Sequence, residues 1–548
     1  MHARRRRRMN QETRPVTRAA ADDRRTVHLI HADHPLGPTA GPEELGFKAW
    51  NLARMAALGL PVPPAFVLGT GWCAAPDALT RDSWLPALAV LERLTQLRFG
   101  DVRHPLLLSV RSGAPVSMPG MMETLLNIGL TEATLPGLIR ISGHPRMAWD
   151  AYRRLISGYG EVVAGIDGQC FEADLDAVRG EADERSLDFA DLRTLAARHL
   201  QTYRREAGVA FPQDAWVQLE QAIAAVFASW NADKARSFRE RQDLSHDMGT
   251  SVTVQAMVFG NAGGLSGAGV GFTRDPNSGE PTPWVDFLFN AQGEDVVSGR
   301  RSALGHDALT AVAPQVWEAL LRVADQLERA FGDMQDFEFT VQDGCLYLLQ
   351  TRDGKRTPLA AARIALDLYQ EGKIGARTAC ERTAGLDAST LAQHRIAGAD
   401  GAELVPLAQA TSAASGVAWG KIVLDEAHTR TLQGDAIVLV RHDAETRDLG
   451  ALELAQGLLT RRGARTSHAA VVARQLGKVC LVGCEALEID SAARSIRLGD
   501  TTLCEGDVLT LDGNSGTIYA GRAHIIETVP GDLIERLDAL RKQRDVAD

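Results

Sequence analysis

The sequence predicts an α/β and α+β multidomain protein, and three features lead there. At 548 residues it exceeds what one hydrophobic core supports, so three or four domains are expected. Residues 131–245 read almost wholly as amphipathic helix, whereas from Ser251 the pattern turns to strands. From about residue 402 short strands and helices alternate around a Gly/Arg-rich loop carrying one histidine.

Composition narrows the class. An apolar content of 45% and a charged content of 24% are those of a folded globular chain. The net charge of −11 leaves no broad basic field, so no nucleic-acid partner is expected. No apolar run approaches the roughly 20 residues that span a bilayer, so no membrane partner is expected either. The seven cysteines are scattered; Cys480 and Cys484 read as small core residues, because no second ligand pair follows. A reduced, cytoplasmic setting fits. Residues 1–28 stand apart: Arg4 to Arg8 form a run without an apolar segment behind it, which excludes a secretory signal. Glu12, Asp22 and Asp23 count against a transit peptide, and Met9 offers an alternative start; a disordered Arg-rich tail is expected.

Residues 43–60 predict a helix, ended by Pro61, Pro63 and Pro64, with a strand at Ala65–Leu68. Gly41 and Gly46 before Lys48 have only the spacing of a P-loop, with no Gly-Lys-Ser/Thr ending and no apolar strand in front, so that reading is rejected. An apolar strand over Leu106 to Val110 delivers Arg111 into a loop with Gly113, Pro115, Pro119 and Gly120, and from Met121 a helix-like pattern resumes. Such an arginine suits a fixed fork for phosphate oxygens; the alternative is a structural arginine tied to loop carbonyls.

Residues 251–261, SVTVQAMVFGN, alternate as a strand. Gly267, Gly269 and Gly271 imitate a dinucleotide fingerprint, yet strand residues follow where a helix is required. A Gly-rich hairpin covering nucleotide phosphates is the expectation, and bends in an edge strand the alternative.

Residues 334–357 predict two strands joined at Asp343-Gly344. Asp336 and Glu338 share one strand face, as do Gln350 and Arg352. A strict two-residue loop sets Glu338 opposite Leu349 and turns the two polar sets apart; a three-residue loop or a bulge brings all four together, and the odd-length loop is predicted. Grouped carboxylate and amide oxygens suit one or two Mg²⁺ ions at ATP phosphates, against a default of a solvated charged face.

The stretch LLTRRGARTSHAAVVARQLGKVCLVG (458–483) reads as strand, loop, helix and second strand. Thr466 or Ser467 can cap the helix and Gly477 can end it. That places His468 in the first helical turn, where backbone N–H groups and the dipole favour an anion, with Arg462 and Arg465 adding positive charge. A neutral imidazole there can take a phosphoryl group; the alternative is a buried or capping histidine.

T-S-H-A-A-V-V-A-R-x-L-G-K resembles, nearly letter for letter, the signature of the phosphohistidine domain of pyruvate phosphate dikinases and phosphoenolpyruvate synthases. S-V-R-S-G-A-P-V-S-M-P-G-M-M (109–122), the 257–276 stretch, FLFNAQGEDVVSG (287–299) and the 336–352 hairpin are similar to the same family. The resemblance covers residues 29–525 or so. It implies an ATP-grasp nucleotide-binding domain with a helical subdomain at 29–358, a helical linker at 359–401, a swivelling β/α phosphohistidine domain at 402–522 and a C-terminal helix at 523–548. It also implies that Lys48, Arg111, Arg154, Glu294, Asp336, Glu338, Gln350 and Arg352 contact ATP or its phosphates. Glu338 and Gln350 would hold Mg²⁺, His468 would carry the phosphoryl group, and Thr466 would match a threonine modified by a regulatory kinase in some dikinases. The chain departs from the family at Phe47 and Ala49, which replace glycines, at Gly463-Ala464-Arg465 in place of Gly-Gly-Met, and at Ser415 in place of proline.

The family continues into a (β/α)₈ barrel for pyruvate or phosphoenolpyruvate, to which nothing here corresponds. The resemblance therefore implies the first half-reaction: ATP and inorganic phosphate give AMP, pyrophosphate and phospho-His468, with Mg²⁺ as cofactor. The receiving site would lie on a separate protein, and the chain is compatible with a homodimer. Two alternatives stand beside this: phosphotransfer to another small acceptor, or a non-catalytic nucleotide-binding remnant.

Overall fold

A computed structural model describes residues 25–34, 36–37, 40–116, 118, 122–180, 182, 184–297, 304–397, 406–431, 434–443, 448–465 and 467–547. Most of the Arg-rich tail, and Thr466, lie outside the described residues. The chain divides into two compact units, Met1–Ala57 with Pro63–Met257, and Leu58–Val62 with Val258–Asp548.

The first unit is built on a five-stranded antiparallel sheet. Its strands are β1 (Val27–Ile30), β2 (Ala65–Leu68), β3 (Leu108–Gly113), β4 (Thr124–Ile128) and β5 (Ser251–Ala256), in the order β1-β2-β5-β3-β4. Two expectations are corrected here. The strand runs on through Arg111 to Gly113, and the segment after the loop is strand β4, not helix. Leu125 and Ile128, three apart, have a helical spacing, and a register shift in the pairing with β3 sets them opposite Val110 and Leu108 and buries both, so the neighbouring strand decides. β5 alternates apolar and polar residues yet is buried throughout. Its polar side chains are satisfied inside: Ser251 Oγ donates to the Gly113 carbonyl at 2.8 Å, and Gln255 Nε2 to the Pro63 carbonyl at 3.0 Å.

Helices α1 (Pro42–Ala57), α2 (Arg81–Thr95), α3 (Pro145–Val162) and α5 (Ala215–Ser229) pack against this sheet, and α4 (Phe189–Ala207) packs on α3. The helical expectation for 131–245 is met. Asp188 caps α4 by accepting from Ala190 and Asp191 N–H, and Asp214 caps α5 likewise. α1 is broken at Gly46, whose φ of 74° lets the backbone press against the Gly113 carbonyl, where a Cβ would lie 2.0 Å away.

The second unit begins with a four-stranded antiparallel sheet of β6 (Gly267–Phe272), β7 (Trp284–Phe289), β8 (Gln335–Gln342) and β9 (Cys345–Asp353), ordered β9-β8-β6-β7. Helices α6 (Gly293–Val297) and α7 (Pro314–Phe331) pack against it. The glycines of β6 are not bends at an edge, because β6 lies between β7 and β8. A Cβ on Gly269 would meet Phe339 Cζ at 2.4 Å, and one on Gly271 would meet Phe337 Cζ at 2.7 Å. The glycines give those rings their seats.

Beyond β9 come α8 (Pro358–Gln370), α9 (Ala376–Thr383) and β10 (Gln393–Ile396). An eight-stranded sheet then forms from β11 (Pro406–Gln409), β12 (Thr411–Ala414), β13 (Val417–Val423), β14 (Ile437–Arg441), β15 (Gly457–Thr460), β16 (Val479–Val482), β17 (Val508–Asp512) and β18 (Thr517–Ala520). Its order is β11-β18-β17-β13-β14-β15-β16-β12, with β13 to β16 parallel and the remaining pairs antiparallel. One face carries an apolar layer shared with helix residues Ala451, Leu452, Ala469, Ala470 and Ala473; the other is shared with Leu487, Ile496 and Leu498 of a small three-stranded sheet. The outgoing strand β19 (Ile525–Thr528) pairs antiparallel with the incoming β10. The last helix, Gly531–Ala547, returns Leu533, Leu537 and Leu540 to Ala362, Leu366, Ala379 and Cys380 of α8 and α9. No helix among the described residues is long and apolar enough to cross a membrane.

Candidate functional site

In the first unit the sequence singles out Lys48, Arg111 and Arg154. The Phe47 N–H donates to the Ala114 carbonyl at 2.8 Å, which sets Lys48 beside the loop that leaves β3 just after Arg111. Gly46 supplies the positive φ in this turn, and neither Phe47 nor Ala49 has one. Arg154 lies on α3 and donates through Nε to Asp150 at 3.1 Å, with Glu184 at 3.5 Å. Arg153 pairs with the same two carboxylates. Burial alone would push the Asp150 carboxyl up; Arg154, Arg153 and Arg146 outweigh it and hold it well below the usual carboxylate range. Arg154 thus has a structural engagement of its own.

In the second unit the hairpin β8–β9 brings four predicted residues together. Asp336 is opposite Arg352 and Glu338 opposite Gln350, so all four share one face. The route differs from the prediction. Gln342 pairs with Cys345 across a two-residue turn, with φ of 51° at Asp343 and 79° at Gly344, so the loop is not odd-length. The parity is restored by a bulge: the register shifts between Glu338 and Phe339. Arg352 Nε donates to Asp336 Oδ2 at 2.7 Å. Burial pushes the Asp336 carboxyl up, with Arg352 opposing it.

The same face extends across the sheet. Glu338 is opposite Val270, and Val270 opposite Asp286; Asp336 is opposite Phe272, and Phe272 opposite Trp284. Glu294 sits on α6, whose Val296 packs with Ala268, Val270 and Leu288. The donor set tests well for a hard divalent cation: Glu338 and Gln350 offer a carboxylate and an amide oxygen side by side, while the Asp336 carboxylate is held by Arg352. A second acidic group, Asp425, His428 and Glu505, has its ligand atoms within 4.8 Å, but Arg494 already donates to both Asp425 and Glu505 and offsets one of their two charges.

Helix α10 (His468–Gln475) starts at His468, and its N-cap is Ser467, whose side chain accepts from the Ala470 N–H. Gly477, at a φ of 65°, follows the helix before β16. The loop in front of it reaches the charged sheet face: Arg465 Nε donates to Asp286 Oδ1 at 2.8 Å and Nη2 to the Val285 carbonyl at 2.8 Å, with the guanidinium 4.2 Å from the Trp284 ring centre. Arg474, near the helix's other end, lies 5.2 Å from Trp284 and 5.5 Å from Phe272. Burial draws the Arg474 guanidinium down to about 10. Trp284, Asp286 and Arg474 escaped the sequence reading. An aspartate in the apolar run Trp284–Phe289 was the available signal, since a buried carboxylate needs a cationic partner.

Residues 87–317 and 310–373 match the pyruvate phosphate dikinase AMP/ATP-binding domain, and 433–516 match the mobile domain of PEP-utilising enzymes. The chain belongs to the pyruvate phosphate dikinase family. It is 40% identical over 511 residues to a pyruvate, phosphate dikinase of Clostridium symbiosum, covering 90% of this chain and 58% of that one. Pyruvate, phosphate dikinase 2 of Zea mays is 40% identical over 92% of this chain and 59% of its own, and the Rhizobium meliloti dikinase 38% identical over 94% and 60%. The chain therefore spans about three-fifths of the length of these dikinases, comprising their nucleotide-binding and mobile phosphohistidine domains.

Proposed function

We propose that this chain is a dikinase-type phosphotransferase module that moves a phosphoryl group from ATP to His468. One observation supports the reading above others. The loop and helix around His468 rest, through Arg465 and Arg474, on the sheet face that carries Asp336, Glu338, Gln350 and Arg352.

In this reading residues 29–358 form an ATP-grasp domain, and Lys48, Arg111 and Arg154 of its first part bind ATP phosphates together with Glu294, Asp336 and Arg352. Phosphoryl transfer asks little covalent chemistry of a protein; it asks for alignment and charge neutralisation. Glu338 and Gln350 would hold Mg²⁺, which supplies part of that neutralisation at the phosphates. Arg352, fixed by Asp336, presents its remaining N–H groups without reorganising. His468, at the start of α10, accepts the β-phosphoryl group where helix N–H groups and dipole favour it. The γ-phosphoryl group passes to inorganic phosphate, so ATP, phosphate and histidine give AMP, pyrophosphate and phosphohistidine with phosphorus balanced. The phosphohistidine domain, 402–522, then swivels to a pyruvate site outside these 548 residues, which we place on a separate barrel-bearing protein.

Incubation with ATP labelled in the β-phosphate tests this. Acid-labile, phosphate-dependent label on the wild type and none on His468→Ala is the expected result. Equal labelling of the two proteins, or nucleotide binding without label on the wild type, overturns it.

A further inference from the structure

At the seam between the His468-bearing domain and the β6–β9 sheet, arginines of the domain meet a carboxylate, a carbonyl and two aromatic rings of the sheet. The eight-stranded sheet satisfies its apolar layers with its own residues, and Phe272 and Trp284 cluster with Met334, Ala360, Ile364 and Leu368 on the other side. Between the domain's 414–419 and 477–479 segments and residues 357–359 and 390–394 lies a cavity of about 500 Å³, with Arg474 at its wall. Among the described residues, two guanidiniums reach across the seam. Arg465 uses Nε for Asp286, which is 2% exposed, and Nη2 for the Val285 carbonyl, while its plane lies over Trp284. Arg474 braces the arrangement: its Nη2 donates to the Ala413 carbonyl at 2.6 Å and to the Arg465 carbonyl at 3.3 Å.

We propose that Arg465 is a positioning residue, a detachable latch that holds the His468 helix over the charged sheet face through Asp286, Val285 and Trp284. A planar fork can satisfy a carboxylate, a carbonyl and an aromatic ring at once, which neither methionine nor lysine can do. A polar latch beside an open cavity releases without exposing a large apolar surface, so the docked and released states stay close in free energy. Arg465 stands three residues before His468, so the latch sets how long that histidine stays with the nucleotide. The proposal rests on the reading that His468 takes its phosphoryl group at that face.

Exposed Cys345 on β9 and exposed Cys504 in the three-stranded sheet are natural spin-label sites on the two sides, once Cys73 and Cys170 are changed to serine. Pulsed dipolar spectroscopy on the full chain is expected to give one dominant distance. Arg465→Met should lower the docked-to-released ratio about tenfold, equivalent to about 1.4 kcal/mol, and add a second, different distance. Arg465→Lys should fall between, and Asp286→Asn added to Arg465→Met should change little more. Raising the salt concentration should mimic Arg465→Met in the wild type and do little in the variant. In step, the single-turnover rate of His468 labelling should fall in Arg465→Met while ATP affinity is unchanged. Distances in Arg465→Met and Arg465→Lys identical to the wild type overturn the latch. His468→Ala keeps the wild-type distance in either case, so failure of the chemistry and failure of the latch are read separately.

Discussion

The two faces of the β6–β9 sheet use the same strands for opposite purposes. On one face Phe337 and Phe339 sit directly on Gly271 and Gly269, and Phe287 stacks 5.8 Å from Phe339. On the other, Asp336, Glu338, Gln350, Arg352, Asp286 and Trp284 stand in two rows set by the register. One face spends its side chains on packing density and tolerates nothing larger than hydrogen at two positions. The other carries charge, buried at Asp336 and Asp286 and matched there by Arg352 and Arg465, beside Glu338 and Gln350. Strand alternation makes this division possible: each residue belongs to one face, and a one-residue slip would exchange them.

Substitutions can break that division. The largest effect on folding is expected at Arg274, just past β6, which is 2% exposed and pairs through Nε and Nη2 with Glu328, at 2.8 and 2.9 Å, and through Nη2 with Glu371. Arg274→Met should cost about 3–5 kcal/mol in denaturant unfolding, because it removes the bidentate partner of the buried Glu328 carboxylate and leaves it Lys373, at 2.9 Å. A value below about 1 kcal/mol would mean that Lys373 already satisfies that carboxylate. Glu338→Gln should lower ATP-dependent labelling of His468 by about 10²-fold or more with less than about 1 kcal/mol of stability lost; a comparable loss of both would erase the distinction between the faces. Gly269→Ala should cost about 1–3 kcal/mol, since Phe339 must leave its seat, and should leave labelling per folded molecule unchanged. The smallest effect concerns Asp150, whose depressed carboxyl contributes stability above its ordinary value of about 3.9 and loses it as pH falls below. Asp150→Asn should flatten the acid limb of the stability profile in that window and leave its shape at neutral pH alone. A changed neutral limb would show that Arg153 and Arg154 respond to other groups.

The sequence made the charged rows legible, because a two-residue period and a turn dipeptide place Asp336, Glu338, Gln350 and Arg352 on a hairpin. The device that aligns them was not. Asp343-Gly344 adopts the tight turn its composition favours, and the bulge at Glu338/Phe339 leaves no compositional trace. The seats that the β6 glycines provide were hidden for a related reason: the rings that need them come from β8, remote in sequence, so the cause is visible only in the fold. Thr124–Ile128 spaces its apolar pair as a helix does, and its neighbour β3, through a register shift, made it a strand. The helix start was legible at Ser467, where a cap obeys local chemistry. Asp286 was readable as an oddity in an apolar strand, but its partner Arg465 lies far along the chain.

The pairing of β10 with β19 carries a mechanical consequence. A body suspended from two cords tied side by side can twist about their common line, yet it cannot drift away or tumble freely. Its excursions are thereby confined to an arc, and each departure keeps a return path of nearly fixed length, as in a door hung on one edge.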